Sequence, residues 1–331
     1  MPENILHKKF HNKLKESQKI LLVAHKKPDG DTLGTTGAFL HYLKREGKDV
    51  TAFCVDEIPD HYHYMCRSHQ MSSDPKVFEN EYDLLCIFDS SDLKYAGVEH
   101  LVAKMPSQPH LVVMDHHSTN IGYGDLNVVF GDASSTAEIA YRFFRINNIF
   151  IDPDMATCML TGILSDTSHF TNPATNSISL EGASHLLLCG GRLNDITRYL
   201  VHNKTVPGLQ LWGKALERIK ENKKEGMAST VIREQDLIEI GIDGNEAIEG
   251  LSNFLGAVLD VPIIMVLTEK PGGIVKGSLR SATDDVSKIA KSFGGGGHKK
   301  AAGFEIAGKI IEKKGIWQVE PALDLKIGGS R

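Results

Sequence analysis

Five short apolar runs, each ending in polar or turn-forming residues, limit what this chain can fold into more than any other feature. They are Ile20–Ala24, Asp49–Cys54, Leu84–Phe88, Leu111–Met114 and Asn127–Phe130. Most of them lack the alternation of a strand with one wet face, so both faces are expected to be covered. Between them lie segments with helical periodicity, among them Ile5–Ser17 and Thr35–Arg45, the latter stopped by Gly47. Strands alternating with helices predict an α/β fold with a mostly parallel five-stranded sheet flanked by helices.

Further helices are expected over Ile139–Arg145, Asp154–Leu164 and Ser179–Leu188, the first opened by Ser135 and Glu138 at capping-box spacing. From Leu193 to Gly226 the chain reads as helical and increasingly charged, as a linker would. A second alternation follows: strands near Ala228–Ile232, Ile263–Thr268 and Ile274–Ser281, and helices near Gly244–Leu255 and Asp285–Ser292. The expected organisation is a first domain over 1–192, a helical linker over 193–226 and a smaller mixed α/β domain over 227–331. A chain of 331 residues suits two cores better than one.

In open parallel sheets ligands sit beyond the carboxyl ends of the strands. His25, Asp29 and Asp31 follow the first run, Asp89 the third, and Asp115-His116-His117 the fourth. Placing so many carboxylates and imidazoles straight after buried strands is costly unless they bind something. Of these, His25, Asp29, Asp31, Asp89 and His116, together with Asp166, supply two imidazoles and four carboxylates, donors that suit Mn²⁺, Mg²⁺ or Fe²⁺. Four carboxylates in one pocket repel one another, and two divalent cations balance them better than one. Two cations a few ångströms apart suit phosphoryl displacement, and Asp89, on a strand between the other clusters, is the expected bridge.

Composition narrows the field. No apolar run reaches the roughly 20 residues that span a bilayer, and no cleavable leader is evident, so a cytoplasmic protein without a membrane partner is expected. Five scattered cysteines with no C-x-x-C pair argue against disulfides or a thiolate zinc site. The formal net charge is −5, which disfavours a broad basic face for long nucleic acid and leaves room for a small anionic substrate.

The order His25-x-x-x-Asp29-x-Asp31, Phe88-Asp89-Ser90, Asp115-His116-His117 and Leu164-Ser165-Asp166-Thr167 resembles the four motifs of the DHH phosphoesterase superfamily. Gly277-Ser278-Leu279-Arg280-Ser281 and Gly294-Gly295-Gly296-Gly297-His298 resemble the DHHA1 domain of its nano-oligoribonuclease branch. That branch includes bifunctional oligoribonucleases and 3′-phosphoadenosine-5′-phosphate phosphatases. The resemblance implies that His25, Asp29 and Asp89 hold one metal while Asp31, Asp89, His116 and Asp166 hold the other. It implies that His117 faces the scissile phosphate and that Asp115 orients a ligand imidazole. Arg280, the Gly295–Gly297 loop and His298 would grip the nucleotide end of a short RNA or small nucleotide.

The glycine run is not a nucleoside-triphosphate loop, because Gly297 is followed by His298 and Lys299 where Lys-Ser/Thr is needed. Ser134, Ser135 and Thr136 are expected either to cap a helix or to stand beside the phosphate. Rival readings are a phosphodiesterase for cyclic dinucleotides or their linear products and, from another class, a non-catalytic nucleotide-binding protein. A monomer or a homodimer would suit either.

Overall fold

A computed structural model describes residues 2–65, 70–201, 204–242, 247–248, 250–297, 299–313 and 315–321. The chain divides into two compact units, 1–203 and 204–331.

In the first unit the apolar runs form β1 (Lys19–Ala24), β2 (Asp49–Cys54), β4 (Leu84–Phe88), β5 (His110–Asp115) and β6 (Leu126–Val129), with the two-residue strand β3 (Met71–Ser72) pairing at the edge. The sheet is wholly parallel, in the order β3-β2-β1-β4-β5-β6. It therefore has six strands, one more than expected, because Met71–Ser72 is too short to leave a periodic signature. Leu21, Val23, Leu85 and Ile87 bury one face of the sheet, and Ile20, Leu22, Cys86 and Phe88 the other. This is why those strands read as continuous apolar runs. Strand order reverses between β1 and β4, so the two loops that follow them open side by side.

Helices α1 (Glu3–Glu16) and α2 (Gly30–Arg45) flank β1, and the one-turn helices α3 (Leu93–Ala96) and α4 (Glu99–Val102) follow β4. After β6 come α5 (Thr136–Ile146), α6 (Pro153–Asp166), α7 (Ser177–Leu188) and α8 (Leu193–Leu200). Helices α2 and α6 pack backbone to backbone. A Cβ on Gly34 would collide with the Cys158 carbonyl oxygen and lie 3.2 Å from Gly162 N; one on Gly162 would lie 2.5 Å from Ala137 Cβ and 2.8 Å from Asp31 Oδ1. These glycines set how closely Asp31 on α2 and Asp166 on α6 approach. Gly34→Ala is thus expected to cost about 3 kcal/mol through overpacking. Denaturant unfolding measures it, and an unchanged midpoint would mean that α2 and α6 are spaced more loosely.

The segment read as a helical linker is divided instead. Helix α8 belongs to the first unit, while α9 (Val206–Glu217) and β7 (Lys220–Asn222) belong to the second. The charged run around Lys220–Glu225 is a strand edge and turn whose side chains stay largely in water.

The second unit continues with β8 (Met227–Ile232), α10 (Glu234–Ile240), α11 (Leu251–Val258), β9 (Ile263–Lys270) and β10 (Ile274–Ser281). Next come α12 (Val286–Ser292), β11 (Gly296–Gly297) and β12 (Ala301–Ala307), followed by the hairpin β13 (Lys309–Lys313) and β14 (Ile316–Glu320). Its sheet runs β11-β12-β10-β9-β8-β7, mixed because β8 and β9 are parallel and the other pairs antiparallel. Of the helix expected over 244–255, residues 247–248 and Leu251–Val258 are helical among the described residues, with Gly250 left-handed between them (φ 86°).

Candidate metal centre

Adjacent strands place the centre. His25 follows β1 and Asp89 follows β4, and His25 Nε2 lies 3.2 Å from Asp89 Oδ2. Asp89 adopts a left-handed backbone (φ 56°), uncommon for a residue with a side chain but better tolerated by Asp than by most. Its N–H still donates to the Met114 carbonyl at 2.9 Å, so the chain turns only after the last sheet contact.

Asp89 is almost fully buried among donors. His116 Nε2 stands 3.6 Å and His117 Nδ1 3.5 Å from Oδ1, which also accepts from the Thr136 hydroxyl at 3.0 Å. Burial alone would favour the protonated acid, but the hydrogen bond and charge of His25, with His116 and His117, hold the carboxyl far below its ordinary range.

The other carboxylates differ. Asp31 is fully buried, and its oxygens accept from the N–H groups of Thr136 (2.7 Å) and Ala137 (2.8 Å) at the N-terminus of α5. Burial, then the charges of Asp89 and Asp166, raise it well above the usual carboxylate value. Asp29 caps α2, accepting from Asp31 N–H (3.0 Å) and Thr32 N–H (3.1 Å). The protein around it, together with Asp89 and Asp166, pushes it up to about 6.

The imidazoles are aimed. His25 Nδ1 donates to the Lys26 carbonyl (2.8 Å), leaving Nε2 to face Asp89 and, at 3.8 Å, Asp29. His116 Nδ1 faces the Ala133 carbonyl (3.4 Å), and its Nε2 lies 3.1 Å from Asp166 and 4.0 Å from Asp31. A carbonyl on one ring nitrogen fixes the tautomer that offers the other to a cation. Burial opposes protonation of His25, yet Asp89 and Asp29 hold it at about 9. Asp115, fully buried, accepts from His117 Nδ1 (2.7 Å) and from Asn120 Nδ2 (2.7 Å). It orients His117, and not the neighbouring His116.

Three overlapping donor groups result: His25, Asp29 and Asp89; Asp31, His116 and Asp166; and Asp89, His116 and His117. Within each group the donor atoms lie within 4.8 Å of one another. This donor set fits divalent cations on chemical grounds: acceptor oxygens crowded at mutual repulsion, with imidazole nitrogens turned toward them. A fourth group among the described residues, His41, Asp152 and Asp154, already has cations: Arg45 holds Asp152 (2.7 Å) and Arg192 holds Asp154 (2.7 Å).

Thr136, expected as a cap or a neighbour of the phosphate, bridges Asp31 and Asp89 instead. Other contributors gave no sequence signal of their own. Tyr95 places its ring 5.2 Å from that of His25 and 6.0 Å from that of His117. Asn120 ties Asp115 to the Ser90 carbonyl (3.1 Å). Just past Asp166, Ser168, His169 and Phe170 are successively left-handed (φ 48°, 57° and 64°), a costly turn beside the centre.

Ser135 is fully buried and caps α5, its hydroxyl accepting from Glu138 N–H at 3.0 Å. In the second unit Arg280 lies on β10, while Gly295 and Gly297 press against β12. A Cβ on Gly295 would meet the Gly303 carbonyl, and one on Gly297 would lie 2.6 Å from the Ala301 carbonyl oxygen. Gly296 is open. His298 lies outside the described residues.

Residues 19–163 match the DHH family, N-terminal domain, and residues 237–315 match the DHHA1 domain. The chain thus carries a DHH domain followed by a DHHA1 domain. It is 26% identical over 297 residues to a bifunctional oligoribonuclease and PAP phosphatase of Thermus thermophilus, covering 89% of this chain and 86% of that protein. It is 23% identical over 269 residues to a probable manganese-dependent inorganic pyrophosphatase of Streptococcus agalactiae, covering 73% of this chain and 83% of that one. An exopolyphosphatase-related protein from Bacteroides fragilis shares the fold at TM-score 0.84 and 26% identity, with 92% of each chain covered. This DHH protein is a hydrolytic enzyme of a metal-dependent family. No helix among its described residues is long and apolar enough to cross a membrane.

Proposed function

We propose that this enzyme hydrolyses very short oligoribonucleotides to mononucleotides and removes the 3′-phosphate of 3′-phosphoadenosine-5′-phosphate. The observation that carries the reading is the run of donor groups joined through Asp89 and His116 at one sheet edge, in a chain that also carries a DHHA1 domain. The name of the Thermus thermophilus relative agrees with it.

His25, Asp29 and Asp89 would hold one cation, and Asp31, Asp89, His116 and Asp166 the other, with Mn²⁺ favoured over Mg²⁺ or Fe²⁺. When bound, the cations activate water and offset charge developing on the phosphate. The protein does the rest. Asp115 keeps His117 Nδ1 engaged, and although burial opposes it, Asp115 and Asp89 favour the imidazolium, which leaves a second N–H to donate to a phosphate oxygen. Thr136 and the α5 amides hold Asp89 and Asp31 in place through proton transfers around them. Arg280, the Gly295–Gly297 loop and His298 would bind the nucleotide.

With Mn²⁺, a panel of 3′-phosphoadenosine-5′-phosphate, 5′-phosphorylated dinucleotides, five-residue RNA, cyclic dinucleotides, pyrophosphate and long single-stranded DNA tests this. The short RNAs and the bisphosphate are expected to give the highest kcat/KM. Preference for long DNA, pyrophosphate or cyclic dinucleotides would overturn the assignment.

A further inference from the structure

Arg280 is a half-buried cation in an unusual setting. Burial lowers its pKa, and no carboxylate among the described residues offsets that. Its Nη1 donates to its own neighbour's carbonyl, Leu279 O, at 2.9 Å. Its Nε donates to the side-chain oxygen of Asn253 on α11 at 2.6 Å. Among the described residues Nη2 has no partner, and neither has Asn253 Nδ2.

We infer that Asn253 is a positioning residue that aims Arg280 at the phosphate of the substrate and adds an amide donor beside it. This inference rests on the reading of Arg280 as a nucleotide-binding residue. The chemistry of position 253 supports it. An amide oxygen fixes the guanidinium by a short hydrogen bond without neutralising it, whereas a carboxylate would fix it and cancel its charge. The helix lies against the strand at this point: a Cβ on Gly256, one turn along α11, would stand 3.9 Å from Arg280 Cβ, in ordinary van der Waals contact. Phe254, next to Asn253 in sequence, is 40% exposed, and its ring lies 5.5 Å from that of Trp212 at a tilt of 40°. A guanidinium and an amide N–H side by side are donors that suit the phosphate of a nucleotide. A role limited to stability makes a different demand: any acceptor at 253, charged or not, would serve.

The test uses the full chain with Mn²⁺. Hydrolysis of 3′-phosphoadenosine-5′-phosphate gives KM and kcat, and calorimetric titration with AMP, the product, gives binding without turnover. N253A is expected to weaken AMP binding and raise KM about tenfold, with kcat within about twofold. N253D keeps the acceptor and is nonetheless expected to weaken binding at least as much. N253A/R280A is expected to be no weaker than R280A alone. Thermal unfolding of each variant shows whether it is folded. Binding by N253D equal to or tighter than wild type overturns the inference, because only the bond to Nε would then matter. Loss of binding in R280A but not in N253A overturns the role of Asn253 and leaves that of Arg280 standing. Unchanged binding in R280A removes both, since the nucleotide reading of Arg280 itself would have failed.

Discussion

Asp89→Ala is expected to lower kcat/KM on a short RNA by about a thousandfold or more, about 4 kcal/mol of transition-state stabilisation. The size follows from position. Among the described residues Asp89 is the only carboxylate that faces His25, His116 and His117 together, and the Thr136 hydroxyl also ends on it. Removing it separates the donor groups it joins and leaves Asp29 facing only His25. Asp89→Asn keeps an acceptor for Thr136 and removes the charge, so an equal loss in both variants assigns the effect to charge rather than to folding. Steady-state kinetics with Mn²⁺, alongside metal content of the purified variants, measures it. Activity within tenfold of wild type in Asp89→Ala would be incompatible with a shared carboxylate.

Raising the pH from 6 to 9.5 is expected to destabilise the metal-free protein, and saturating Mn²⁺ is expected to flatten that decline. The folded-state value of His25, about 9, lies above its ordinary 6.5. Its contribution is therefore complete below about pH 6.5 and lost as pH rises through 9, a term on the order of 3 kcal/mol. Asp31 acts in the same direction, because a buried carboxyl raised above its usual value resists losing its proton in the folded state. Asp89, held low, loses its contribution only in strong acid, below this window. A cation takes the place of those protons, and at a thousand times its dissociation constant it adds about 4 kcal/mol. Melting temperatures across the range, with and without Mn²⁺, give both curves. A metal-free protein equally stable at pH 6 and 9.5 would contradict the contact between His25 and Asp89.

Much of the centre was legible in the sequence, for a physical reason. A buried parallel strand has to end, and a polar residue placed at its carboxyl end reaches the crevice where strand order reverses. His25, Asp89 and the Asp115-His116-His117 triplet follow that rule. Asp31 and Asp166 sit at opposite ends of two helices, and their meeting depends on Gly34 and Gly162, whose small size signals a close approach without naming the partner. Asn120 was hidden, and Thr136 was legible only as a cap or phosphate neighbour, because hydroxyls and amides are common in turns and only three-dimensional closure shows which carboxylate they hold. The linker was misread because charge density alone does not separate a solvated helix from the exposed edge strand around Lys220. Gly295 and Gly297 fit the reading of a loop in close contact, but the backbone they approach is strand β12.

The two amides that hold Asp31 come from residues 105 and 106 positions further along the chain. Asp166 lies later still. During synthesis the donors therefore emerge in the order His25, Asp29, Asp31, Asp89, His116, Asp166, and the carboxylate of Asp31 has no fixed direction until α5 has closed onto α2. A nascent chain short of Asp166 lacks one donor of the group formed with Asp31 and His116. Completion of that second donor group should thus mark the completion of this unit, so that a chain stalled or truncated within α6 is expected to hold manganese more weakly than the full unit.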